Sequence, residues 1–280
     1  MIKVLHSGFY TSIQDKGRFR FRNIGVPVSG TMDSISAGLA NALLNNNDND
    51  ALLEIALNGP KLEFTKPTAI VISGAEMSPK LNTNSILNYR VYQVKKGDII
   101  SFGKLQKGLY AYLAIQGGFQ SKTVLKSKSF YDGLTVRSRL QKNDSIPYKS
   151  KAIVKTLNSA IKNTNSFFET NILEVFKGPE FELFNFEEQR KLLQTKLTVT
   201  NSMNRMGYRL KESVVLHNKS MITSPVLPGT VQLTPSGHLI VLMKDAQTTG
   251  GYPRVFQLTE KSISILAQKK AGDSIKFSLL

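Results

Sequence analysis

The sequence predicts a mainly-β protein built as two related barrels. Three observations carry this. Short β-branched or aromatic segments recur along the chain, with Gly, Pro, Asn or Asp between them. A stretch at 149–170 is rich in Lys, Asn, Ser and Thr and poor in large apolar residues; it divides the chain as a linker or a long surface excursion. A basic pair, then Gly-Asp, then a strand ending in Phe occurs in both halves, ending at Phe102 and Phe277. Gly-Asp before a strand is common turn chemistry, so the echo supports a repeat only together with the linker. The expected domains are 1–148 and 171–280.

In the first half the strand signals are Leu62–Phe64, Ala69–Ile72, Val91–Val94, Ile99–Phe102 and Tyr110–Ile115. In the second they are Leu173–Phe176, Leu197–Thr200, Leu239–Met243, Val255–Leu258 and Ser274–Phe277. Many short strands at close spacing argue for barrels or sandwiches rather than a doubly wound sheet. Helices are few. Met32–Leu44 places Ile35, Leu39, Ala42 and Leu43 on one face, with Asp33 or Ser34 as the cap. Pro179–Leu193 and Glu260–Gln268 show a less regular helical pattern.

Composition sets further bounds. With 280 residues, 41% of them apolar, the chain can bury a substantial core. It has no Cys, which excludes disulfides, a thiol nucleophile and a cysteine metal site. The start, MIKVLHSGFY, lacks the pattern of a signal peptide, and no apolar run reaches the ~18–20 residues of a membrane helix. A cytoplasmic protein with no membrane partner is therefore expected. The net charge of +17 suits either a nucleic-acid binder or a Lys-rich solvated surface. The basic residues are scattered, without an RNP box, zinc-finger spacing or helix-turn-helix pattern, which favours the surface reading and no nucleic acid. Such a surface also suits an anionic substrate or an acidic partner.

Three segments hold more Gly and polar residues than a β scaffold needs. In the first, Gln14, Asp15 and Arg18 offer an amide, a carboxylate and a guanidinium on one short turn, ahead of Gly25–Asp33. This set can bind a small acid or amide, or it can be a structural turn in which Asp15 bonds backbone N–H groups. In the second, Asn204 and Arg205 lie in NSMNRMGYRL, where two arginines suit a carboxylate or phosphate or pair with local acids. The third follows the apolar run His238–Met243 and contains Asp245, Gln247, Thr248, Gly250, Gly251 and Tyr252. Polar residues on a loop after a core strand form a favoured site arrangement, and Gly-Gly allows close backbone approach. The three histidines, His6, His217 and His238, lack metal-ligand spacing. No Walker A, GxSxG or GxGxxG motif occurs. Ser127, Lys128 and Ser129 resemble a Ser-Lys pair only superficially.

TSIQDKGR, GVPVSGTMD, YLAIQGG, NSMNRMGYRL, PGTVQL and VLMKDAQTTGGYPR together resemble the biotin-dependent carboxyltransferase-like family. That family takes in the C subunit of 5-oxoprolinase, the allophanate hydrolase subunit 2 domain and the Kip antagonist protein of sporulating bacteria. The resemblance runs through nearly the whole chain, in order. It implies two cyclophilin-like β-barrels with a few short helices, sharing a cleft. Asp15, Arg205 and Asp245 of the three polar segments are the expected catalytic residues. Gln14, Arg18, Asn204, Gln247, Thr248, Gly250, Gly251 and Tyr252 would bind substrate. The segment Leu125–Tyr131 departs from the small-residue pattern of the family.

The resemblance also implies an activity: an ATP-dependent complex opening the lactam of 5-oxoproline to glutamate, in which this chain alone is inactive. Its partners would be a B-like (Kip-inhibitor-like) protein and an A-like protein of the same complex. ATP would be used with those partners, and neither metal nor biotin would be bound in this chain. The alternatives are a regulatory antagonist of a histidine-kinase inhibitor and a carboxyltransferase or allophanate hydrolase-type subunit of urea degradation.

Overall fold

A computed structural model describes residues 1–149, 169–219 and 221–280, so the expected linker lies almost wholly outside the described residues. The mainly-β expectation is borne out. The chain divides into two compact units. One takes Met1–Arg18 and the chain from Ser29 through the first half; the other takes Phe19–Val28 and the chain to Leu280. The domain assignment from sequence kept Phe19–Val28 with its neighbours; in the structure these ten residues belong with the second unit.

The first unit contains β1 (Ile2–His6), β2 (Tyr10–Gln14), β3 (Leu52–Ala56), β4 (Lys61–Phe64), β5 (Thr68–Glu76), β6 (Lys80–Leu81), β7 (Asn84–Ser85), β8 (Tyr92–Val94), β9 (Ile99–Ser101), β10 (Lys107–Ile115) and β11 (Ser145–Ile146). One sheet runs β11-β1-β4-β9-β6-β7 and the other β2-β3-β10-β5-β8. Between them lies one core, with Ile2, Val4 and Leu62 from the first sheet against Ile13, Leu53, Ile55, Ile72 and Leu113 from the second. Each such side chain contributes about 1.5–3 kcal/mol by leaving water. In the second sheet β5 and β10 are buried along nearly their whole length, which is why they read as continuous apolar runs. Helix α1 (Ser34–Leu43) packs against these two strands, and Ser73 Oγ on β5 donates to the Ser36 carbonyl at 2.7 Å. Asp33 caps α1, accepting from the Ile35 and Ser36 amides.

The second unit contains β12 (Ile172–Lys177), β13 (Leu197–Met203), β14 (Gly207–Ser213), β15 (Ser224–Pro225), β16 (Thr230–Leu233), β17 (His238–Leu242), β18 (Thr249–Gly250), β19 (Arg254–Leu258) and β20 (Ser274–Leu279). Seven of these form a closed barrel, β12-β19-β16-β17-β14-β13-β20, with β15 and β18 as a separate ribbon. The parallel pairing of β12 with β20 belongs to this ring, and closure leaves it no free edge. The barrel strands alternate: on β14, Tyr208 and Leu210 are buried while Arg209 and Lys211 are exposed. Phe256 meets both Phe181 and Phe277, with ring centroids 5.3 Å apart in each pair. Helix α2 (Phe186–Gln194) starts from a capping box made by Asn185 and Glu188. Helix α3 (Glu260–Ala267) buries Ile263, Ile265 and Leu266.

Several elements differ from the sequence expectation. The strands β1, β2, β3, β14 and β16 were not foreseen, and part of NRMGYRL is strand rather than loop. The helix expected over Pro179–Leu193 breaks into a single tight turn at Phe181–Leu183 and α2, because the Asn185 cap fixes where the helix begins.

Gly178 ends the path of β12. Its N–H donates to the Val255 carbonyl at 2.9 Å, and a Cβ there would lie 2.0 Å from the Arg254 carbonyl oxygen. Gly178→Ala is expected to destabilise the chain by about 2 kcal/mol or more, read as a lower thermal midpoint. An unchanged midpoint would show that this strand contact is loose.

Candidate functional site

The candidates form two constellations, one in each unit. In the first, Gln14 ends β2 and Asp15 begins the turn. The Asp15 carboxylate is a hub. Oδ1 accepts from the Gly17 amide at 2.8 Å and from the Ser127 and Ser129 hydroxyls at 2.7 Å each. Oδ2 accepts from the Lys128 amide at 2.6 Å. Arg18 is fully buried, and its Nη2 donates to the Ser129 carbonyl. Three donors meet Oδ1 and one meets Oδ2, so the carboxylate fastens the turn to the 127–129 segment. The structural-turn reading of Asp15 is therefore directly visible in the backbone bonds it accepts.

Gln14 Oε1, Ser29 Oγ and Thr68 Oγ1 in this unit are buried without a partner among the described residues. Gln14 Nε2 donates to Ser12 Oγ at 3.0 Å, which leaves the amide oxygen available as an acceptor. Ser29 sits at φ 56°, followed by Gly30 at φ 84°, where a Cβ would lie 2.8 Å from Lys16 backbone atoms. Only glycine fits that crossing. Beside it, the Thr31 amide donates to the Asp15 carbonyl at 3.0 Å.

Sequence reasoning missed a second buried cluster here. Glu54 Oε2 accepts from the Met32 amide at 2.7 Å and the Tyr112 hydroxyl at 3.0 Å, and the Asp33 amide donates to the Tyr112 oxygen at 2.7 Å. Glu54, Asp33 and Tyr112 are fully buried. Burial first, then the nearby Glu54 and Asp33 carboxylates, push the Tyr112 phenol well above its ordinary pKa, so it stays a donor. The signal was a lone Glu within the apolar strand Leu52–Ala56.

In the second unit the hairpin of β13 and β14 turns at Asn204, whose Oδ1 accepts from the Met206 and Gly207 amides at 2.7 and 3.2 Å. Arg205 and Asp245 are brought together. Nε donates to Oδ2 at 2.7 Å and Nη2 to Oδ1 at 3.0 Å, with both residues buried. The Asp245 amide also donates to the Arg205 carbonyl at 2.8 Å, so backbone and side chains lock the same contact. Gln247 and Tyr252 are exposed. A Cβ on Gly250 would meet Gln232 Nε2 at 2.4 Å, whereas one on Gly251 meets nothing closer than 3.8 Å. A side chain at Gly250 would have to displace the Gln232 amide, whereas Gly251 has room for one.

Arg22, also missed, completes the Thr248 corner. Its Nη2 donates to the Thr248 carbonyl at 3.2 Å, and its Nη1 is buried without a partner among the described residues. Burial lowers its guanidinium pKa. A further fork joins Arg254 to Glu180, with Nε to Oε2 at 2.8 Å and Nη2 to Oε1 at 2.6 Å. Hydrogen bonding to Arg254 holds the Glu180 carboxyl below its ordinary value, against the opposing effect of burial. Among the described residues no group of His, Asp and Glu is arranged to hold a metal ion.

A family model described as "Carboxyltransferase domain, subdomain A and B" matches residues 24–279. The chain is 31% identical to the C subunit of 5-oxoprolinase from Escherichia coli, over 99% of this chain and 90% of that one. It is 29% identical to the C subunit of 5-oxoprolinase from Haemophilus influenzae, with the same coverage. It is also 29% identical to a urea amidolyase of Lachancea kluyveri, over 98% of this chain but 17% of the relative. Among solved structures, TTHA0988 superposes with a TM-score of 0.88 at 26% identity, and this chain spans 55% of it. The Kluyveromyces lactis urea amidolyase superposes with a TM-score of 0.87 at 30% identity, and this chain spans 18% of it.

Arg205→Ala would leave the Asp245 carboxylate buried without its fork. The expected cost is about 3–5 kcal/mol in urea unfolding at neutral pH. A loss below about 1 kcal/mol would mean that water replaces the fork. Glu180→Gln tests the second fork through pH. A depressed folded pKa stabilises above the unfolded value of about 4.3, and that stability is lost as pH falls through the folded value. The variant should be less stable than the parent at neutral pH, with the gap closing below about pH 4. A gap that persists in acid would assign the effect to packing instead.

Proposed function

Because the chain belongs to the carboxyltransferase domain family, subdomains A and B, we propose that it is the C subunit of an ATP-dependent 5-oxoprolinase, opening 5-oxoproline to glutamate with partner subunits. One observation carries this reading: identity of 29–31% to the C subunits of two 5-oxoprolinases, sustained over 99% of this chain and 90% of each relative. The name of those relatives points to a hydrolase complex of several subunits. A-like and B-like proteins are the partners this proposal requires.

Chemistry is consistent with such a division of labour. Opening a lactam breaks amide resonance, and phosphorylating the amide oxygen at the expense of ATP supplies a better leaving group. Catalysis is then mainly positioning and charge stabilisation. The paired Arg205 and Asp245 and the four-donor Asp15 fix loops rather than offering an activated nucleophile. Arg22 differs: its Nη1 beside the Thr248 carbonyl is a donor suited to the carboxylate of a small anionic substrate.

A second reading rests on the urea amidolyase relatives, at 28–29% identity. There the chain would act in carboxyl transfer between a biotin carrier and urea.

The test mixes this protein with its A-like and B-like partners, 5-oxoproline and ATP, and measures glutamate and ADP. Turnover is expected in the full mixture and none from the isolated chain. Turnover by the chain alone would refute its dependence on partner subunits. A tight complex without turnover would favour a regulatory binding role, and urea-dependent ATP use with a biotin carrier would favour the second reading. In the active mixture Arg22→Lys is expected to raise KM for 5-oxoproline about tenfold with little change in kcat. An unchanged KM would remove Arg22 from the substrate site.

A further inference from the structure

The first unit contains a cavity of about 550 Å3 that none of the candidate residues lines. Its size falls in the range of about 300–1,000 Å3 typical of pockets for drug-sized ligands. A five-membered lactam acid would leave most of it empty. Half of its lining residues are apolar, among them Ile13, Val124, Phe130, Leu134, Leu140 and Ile146, and half are polar. Its charged groups are Lys122, Arg137 and Asp144. Arg137 and Asp144 pair at 2.9 Å and largely cancel. Lys122 is exposed, so the cavity carries one uncompensated positive charge on an accessible side chain.

The wall is also built at a conformational cost. Val124 and Ser127 exchange backbone hydrogen bonds at 2.8 and 3.2 Å around Leu125 (φ 49°) and Lys126 (φ 62°). Two consecutive left-handed residues between such bonds form a turn that normally demands Asn-Gly. Leu-Lys is a poor choice for it on local grounds. The turn persists because the Asp15 carboxylate grips Ser127, Lys128 and Ser129 immediately after it. Lys128 Nζ adds a bond to Gln120 Oε1 at 3.2 Å, and Ser121 Oγ donates to the Lys128 carbonyl at 3.2 Å; Gln120 and Ser121 both line the cavity. Strain held in place by surrounding bonds concentrates at functional sites. Here it fixes Val124 in the cavity wall.

We propose that this cavity is a second ligand site, separate from the lactam chemistry, for a small amphipathic anion: an apolar body against Val124, Phe130 and Leu140, with its acid group toward Lys122. The proposal does not rest on the 5-oxoprolinase reading and stands or falls by binding to this chain alone.

Calorimetric titration of the full chain with decanoate, with decanol as the neutral comparator, tests it. Decanoate should bind saturably. Lys122→Ala, a change at an exposed side chain, should weaken decanoate by about two- to fivefold and leave decanol unchanged. Val124→Trp puts a bulky ring where the apolar body would lie and should weaken binding of both, with the thermal midpoint reporting that the fold is kept. The proposal is overturned if decanoate shows no saturable binding to the parent chain. It is equally overturned if Lys122→Ala affects decanoate and decanol alike, or if 5-oxoproline displaces decanoate, which would make the cavity the lactam's own site.

Discussion

One carboxylate organises the first unit. Asp15 accepts four hydrogen bonds, and three of them reach residues more than 110 positions further along the chain. Bonds to an ionised acceptor contribute about 1.5–3 kcal/mol each when taken singly, though they are not additive. Here they decide geometry as much as stability. They pin the 127–129 segment against the end of β2, and through it they impose the left-handed turn before it. The Arg18 bond to Ser129 and the Gly30 crossing over Lys16 both depend on that same junction.

In the second unit, buried charge is organised by pairing instead. Arg205 with Asp245 and Arg254 with Glu180 each form a two-pronged fork, and each joins segments distant in sequence. The planar guanidinium makes this possible, since its donors match both carboxylate oxygens at once. Such forks are weak net sources of stability but strong sources of register, because only one alignment satisfies both partners.

Much of this was legible in the sequence. The helical pattern over Met32–Leu44 located α1, which spans Ser34–Leu43 with Asp33 as its cap, but not its buried face: Ile35 and Ala42 are exposed, while Ala37, Ala40 and Leu43 are buried. The third helix begins where expected, at Glu260, because Thr259 caps it. The strand at Gly207–Ser213 was hidden by its own polar residues, although Tyr208 and Leu210 alternate with Arg209 and Lys211 as a half-buried strand requires. The site was legible only in its ingredients. The polar segments were recognisable, but a bond between residues 40 positions apart, such as Arg205 with Asp245, leaves no local trace in one sequence. Within Leu125–Tyr131, Ser127 and Ser129 are the two residues whose hydroxyls Asp15 uses.

The placement of Phe19–Val28 has a consequence for covalent topology. The chain leaves the first unit after Arg18, returns at Ser29 and departs again in its second half, so three crossings join the units rather than one. A single nick at the last crossing would leave the halves tethered by the first two. Excising residues 19–28 would remove those two tethers and strip the second unit of Arg22 and the bond it makes to Thr248. The order of synthesis is affected too. Residues 19–28 emerge early from the ribosome, yet Thr248, which Arg22 meets, is made late, so that bond must wait until nearly the whole chain exists.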